Sequence, residues 1–99
     1  MGAEMKKLTA QQRLFLRAGS VINDFERNNF KVSADVASRA EELKPQLLYM
    51  VRYDKSFRFE AELFLNGLVL ATKQAKGQDV LAEFKAVCER INAALEARC

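Results

Sequence analysis

The sequence predicts an α+β domain of order α-α-β-β-β-α: a three-stranded antiparallel sheet with helices packed on one face and an extra N-terminal helix. Three observations carry this. Apolar residues recur at helical spacing through residues 9–26 and 79–97. The stretches "QLLYMVRY" and "FRFEAELFL" alternate apolar and polar positions and are rich in aromatic side chains. Asn66-Gly67, a preferred pair for a two-residue hairpin turn, then separates "FRFEAELFL" from "LVLATKQ". With 99 residues, 49% hydrophobic and 29% charged, the chain suits one hydrophobic core and not two. Residues 9–99 are therefore expected to form one domain, preceded by a flexible N-terminus at residues 1–8.

The first helix is expected over about 9 to 26. Thr9 precedes Gln12 by three residues, the spacing of a capping box, and Leu14, Ala18, Val21, Ile22 and Phe25 then share one face. "NDFERNNFK" breaks the pattern with turn formers. Ser33 caps a second helix, with Asp35 in its electropositive first turn and Val36, Ala40 and Leu43 on one side. Lys44-Pro45 is expected to end it, because a residue before proline avoids the helical region. Three strands follow.

A type I′ turn at Asn66-Gly67 pairs Leu65 with Leu68, Phe64 with Val69, Leu63 with Leu70 and Glu60 with Lys73. That register puts Phe57, Phe59, Ala61, Leu63 and Leu70 on the face beneath the second and last helices. The opposite face holds Arg58, Glu60, Glu62, Phe64, Val69, Ala71 and Lys73. Phe64 beside Val69 makes it too apolar to stay wet, so it requires cover from the first helix, a second copy of the chain or a partner protein. A last helix over roughly 79 to 97 carries Val80, Leu81, Phe84, Cys88, Ile91 and Leu95.

Several chemistries are disfavoured. There is no histidine, the commonest general base and metal ligand, so an enzyme is not expected. The two cysteines make neither a disulfide framework nor a zinc site; Cys88 reads as a buried free thiol and Cys99 as a terminal one. The four glycines form no phosphate-cradling loop. No metal, cofactor, small-molecule substrate or membrane span is expected, and free thiols suit a cytoplasmic or nuclear setting. Sixteen basic residues against thirteen acidic ones give a net charge of +3, a modest attraction for nucleic acid.

Phe59, Leu63, Leu65 and Gly67 match the second strand and turn of the double-stranded-RNA-binding domain, and residues 33–97 resemble that family in element order. The stretch "RYDKSFRFEAELFLNG" is also similar to the small Alu-domain subunits of the signal recognition particle, which pair as a heterodimer and present a sheet to folded RNA. These resemblances imply a non-enzymatic RNA-associated binding module within a ribonucleoprotein or RNA-processing assembly. Lys55 in the first loop, with Arg58, Lys73 and Lys76, would contact phosphates. The alternative is a protein-protein or dimerisation module of the same fold without RNA affinity, holding a partner through Phe64, Val69, Leu14 and Ile22.

Overall fold

Thr9 starts a helix for the reason its spacing suggests. In a computed structural model that describes residues 9–97, the Gln12 N–H donates to Thr9 Oγ1 (3.1 Å) and the Thr9 N–H to Gln12 Oε1 (2.9 Å), closing a capping box. Helix α1 (Ala10–Arg27) then buries Leu14, Phe15, Ala18, Val21, Ile22 and Phe25. It ends in a Schellman motif, in which the Phe30 N–H donates to the Phe25 carbonyl (2.7 Å) and the Asn29 N–H to that of Glu26 (3.1 Å). Asn29 (φ 54°) and Phe30 (φ 66°) are both left-handed. For a phenylalanine this costs on the order of 1–2 kcal/mol. The compensation is the Phe30 ring, which packs edge-on against Phe84 with centroids 5.1 Å apart.

Ser33 caps α2 (Ala34–Tyr53) by accepting from the Val36 N–H (3.3 Å), with Asp35 in the first turn. The stop expected at Lys44-Pro45 does not occur, and Pro45 lies inside the helix. Glu41 and Pro45 are both exposed, so water is at hand for the backbone carbonyl that proline leaves unbonded. Leu47 and Met50, beyond the proline, are buried. Each contributes about 1.5–3 kcal/mol on burial, together enough to offset the ~3 kcal/mol that proline costs in a helix.

The predicted sheet is absent. "QLLYMVRY" forms the second half of α2, while "FRFEAELFL" and "LVLATKQ" join into α3 (Arg58–Ala75), which runs straight through Asn66-Gly67. No strand occurs among the described residues, so the α+β expectation is overturned in favour of an all-α fold of four helices. The pairings of Leu65 with Leu68 and of Glu60 with Lys73 become spacings along one helix. The element order behind the resemblance to double-stranded-RNA-binding domains and Alu-domain subunits is likewise missing. Composition explains the outcome. Arg58–Ala75 contains only two β-branched residues, Val69 and Thr72, among helix-forming Ala, Leu, Glu, Lys and Gln. Its buried positions, Glu60, Ala61, Leu63, Phe64, Gly67, Leu68 and Ala71, follow the 3–4 spacing of a helix.

Gly67 has a packing role instead of a turn role. A Cβ built there would lie 2.9 Å from Ile22 Cδ1 and 3.5 Å from Ile91 Cδ1. The missing side chain lets residues from the helices on either side of α3 converge over its backbone.

The glycine that does serve a turn is Gly77 (φ 96°), just past the end of α3. Gln78 N–H donates to the Lys73 carbonyl and Gly77 N–H to that of Gln74, each at 3.0 Å, forming a second Schellman motif. Helix α4 (Leu81–Ala97) follows, burying Phe84 and Ile91. Helix α3 is central: it packs on α1, α2 and α4, and α1 also packs on α2. No Cα of α4 comes within 8 Å of one in α1 or α2. Among the described residues, no helix is long and apolar enough to cross a membrane. The expected flexible N-terminus and Cys99 lie outside the described residues.

Candidate interaction surfaces

Because no Cα of α4 comes within 8 Å of α1, an open groove of about 820 Å³ separates the two helices. Its floor is aromatic: Phe15 stacks on Phe64 (centroids 5.1 Å, rings 13° apart) and meets Phe57 edge-on at 5.8 Å. Ile22 and Ile91 close the floor over Gly67. The rims carry Leu16 on α1, 61% exposed, and Leu95 on α4, 43% exposed. Asp24, Glu26 and Glu60 also line the groove, with Arg27 as the one cationic lining residue among the described residues. Cys88 sits on the α4 wall, where burial, and secondarily the Glu26 carboxylate, pushes its thiol up to about 11. At neutral pH it is a protonated, weakly reactive wall residue.

A second surface lies at the turn between α2 and α3. Asp54 organises this turn by accepting from the Ser56 and Phe57 N–H groups (3.1 and 3.3 Å). Its other oxygen accepts from Gln11 Nε2 at 3.3 Å, tying the start of α1 to the turn. Arg58 reaches back, its Nε–H donating to the Val51 carbonyl at 2.8 Å, which satisfies a carbonyl of the last turn of α2 with a cation. Near it in sequence, Tyr49 and Tyr53 at the end of α2 and Phe59 at the start of α3 are 64%, 67% and 62% exposed.

The expected site residues are distributed unevenly over these surfaces. Lys55 and Arg58 fall together at the α2–α3 turn, whereas Lys73 and Lys76 mark the other end of α3. Fifteen residues of helix at about 1.5 Å each separate Arg58 from Lys73 by about 22 Å. The four cations thus form two distant pairs. Lys76 also lies near enough to Glu41 to help lower its pKa, an effect dominated by the Lys44–Glu41 hydrogen bond of 2.8 Å. Of the residues expected to hold a partner, Ile22 and Phe64 form the groove floor, Leu14 is buried in the core and Val69 is half-buried. The sequence reading missed Leu16 on the groove rim and the exposed Tyr49 and Tyr53. Leu16 carried a signal, as a large apolar residue on the outward face of the expected first helix, whereas Tyr49 and Tyr53 lay in a stretch that reads as strand. Among the described residues, no group of three or more His, Cys, Asp and Glu is placed to hold a metal ion.

No family model matches this chain, and neither a curated protein nor a solved structure shows significant similarity to it.

Proposed function

We propose that this chain is a non-catalytic protein-interaction module whose groove between α1 and α4 receives one amphipathic helix of a partner protein. The observation that carries the proposal is the separation of α1 from α4 over a floor of Phe15, Ile22, Phe64 and Ile91, with Leu16 and Leu95 exposed on the rims. A helix with an apolar stripe is the secondary-structure element that fits such a channel. The lining from Gln12 to Arg27 spans about 22 Å of helix, matching about fifteen residues of partner helix. Among the described residues, Asp24 and Glu26 against Arg27 give the lining an acidic excess that favours basic residues beside the stripe. The free thiol of Cys88 suits a module working in the cytoplasm or nucleus.

The test uses two synthetic helical peptides of about fifteen residues, with leucines on one face and either lysines or glutamates elsewhere, titrated into ¹⁵N-labelled protein. The lysine peptide should bind and shift groove resonances although the protein itself carries a net charge of +3. The glutamate peptide should bind far more weakly. Leu16→Glu with Leu95→Glu, both at exposed positions, should abolish binding and leave the spectrum folded. Binding that prefers the glutamate peptide, or that maps away from the groove, would overturn the proposal.

A further inference from the structure

We infer that the surface at the α2–α3 turn is a platform for single-stranded nucleic acid, with Tyr49, Tyr53 and Phe59 as stacking residues and Arg52, Lys55 and Arg58 as phosphate contacts. This surface is separate from the α1–α4 groove, and three independent observations place the chemistry there.

Three aromatic rings are more than half exposed within eleven consecutive residues. They contribute little to the core. Tyr49 and Tyr53, one helical turn apart, hold each other in place with centroids at 4.8 Å and planes tilted by 51°. Their hydroxyls have no partner among the described residues.

The cations are unneutralised. The ion pairs Arg39–Asp35 and Lys44–Glu41 both lie within α2, ahead of Pro45. Arg52, Lys55 and Arg58 have none among the described residues. The nearest carboxylate in sequence, Asp54, is occupied by three N–H donors of the turn and of α1. Glu62, one helical turn beyond Arg58, makes no ion pair with it.

The guanidinium of Arg58 is also fixed. Its bond to the Val51 carbonyl holds it beside the last turn of α2, the turn that carries Arg52 and Tyr53. Cations interleaved with open aromatic faces are what a single strand requires: phosphates meet the charges while unpaired bases stack on the rings. A protein partner would be expected to meet three unpaired cations with carboxylates and would have less use for three open ring faces. A duplex keeps its bases stacked on one another and out of reach of such rings.

The test is fluorescence anisotropy with labelled ten-nucleotide uridine and cytidine RNAs and a ten-base-pair duplex, at 50 and 200 mM salt, with light scattering on the same samples. The single strands should bind more tightly than the duplex. Three phosphate contacts on a single strand predict about a twentyfold loss of affinity over that salt range. Tyr49→Ala and Tyr53→Ala should each weaken binding by about fivefold or more at both salt concentrations, the mark of stacking. Arg52→Glu with Lys55→Glu should flatten the salt dependence. Lys73→Glu with Lys76→Glu, at the far end of α3, should change affinity by less than about twofold. All four positions in the platform variants are exposed, so folding is retained and circular dichroism verifies it. Equal or tighter binding to the duplex, no binding to either strand, or indifference to both tyrosine variants would overturn the inference. So would self-association abolished by the tyrosine variants, which would make the surface a contact between two copies of the chain.

Discussion

The two sides of α3 carry similar apolar residues but are finished differently. On one side α1 and α2 pack on α3 and on each other, burying Phe25, Leu47 and Leu68 almost completely. On the other side α4 has α3 as its sole helical neighbour and buries only Phe84 and Ile91, among the described residues, while Leu95 stays exposed. A helix packed on three sides is part of the core. A helix packed on one side leaves a channel, and here the channel floor is as apolar as the core itself.

The largest expected effects separate the two sides directly. Leu47→Ala, on the closed side, should cost about 2–5 kcal/mol and unfold the chain in a single cooperative step. Phe84→Ala removes the main anchor of α4 together with the ring that holds Phe30. It should cost about 3–5 kcal/mol, but with α4 losing helicity ahead of the rest. Urea unfolding followed by far-UV circular dichroism distinguishes the two outcomes. One coincident step for both variants would erase the distinction between the sides.

Pro45→Ala comes next and has the opposite sign. It restores a backbone hydrogen bond on an exposed face without touching the core, so stability should rise by up to about 3 kcal/mol. A loss would mean that the proline bends α2 to fit the closed side. Two glycines give smaller effects of opposite direction. Gly77→Ala places a side chain at φ 96° and should destabilise by roughly 1–2 kcal/mol, although no atom lies within 4 Å to clash. Gly19→Ala lies on the groove wall, where its Cβ would make ordinary contact with Phe64 at 3.7 Å. The gain in helix propensity should stabilise by about 0.5–1 kcal/mol. Thermal melts of the two variants read both signs.

The smallest effect concerns Cys88. The folded thiol titrates near 11, raised from 9.0, so from pH 9 upward the unfolded chain releases a proton that the folded chain keeps. Stability is therefore unaffected at neutral pH and falls as pH rises through that window. The urea midpoint of the native chain should decline more steeply between pH 9 and 10.5 than that of Cys88→Ser, in which the titrating group is gone.

Much of this architecture was legible in the residues. Thr9 with Gln12, and Ser33 with Asp35, marked two helix starts because capping is local chemistry. The stripe from Leu14 to Phe25 gave the buried face of α1. Helix α3 was not legible as a helix for a physical reason: it buries residues toward neighbours on two sides, and that broad apolar surface imitates strand alternation. Asn66-Gly67 strengthened the imitation, since Gly67 is required by the approach of Ile22 and Ile91 and not by a turn. The decisive contrary signal was the scarcity of β-branched residues from Gln46 to Gln74. The second source of error was Tyr49, Tyr53 and Phe59, aromatic residues that read as strand yet are exposed on helices. Local patterning and fold disagree at these positions, where binding surfaces are most often found. Of the candidate sites, Lys55, Arg58, Ile22 and Phe64 were named from sequence, but their grouping into a turn and a groove required the helices.

The most direct measurement of the asymmetry is native-state hydrogen exchange, resolved by residue, with and without the lysine peptide. The amides of α4 should exchange through an opening of lower free energy than those of α2 and α3, and bound peptide should close the gap. Equal protection of α4 and α2 in the free protein, unchanged by the peptide, would contradict that asymmetry.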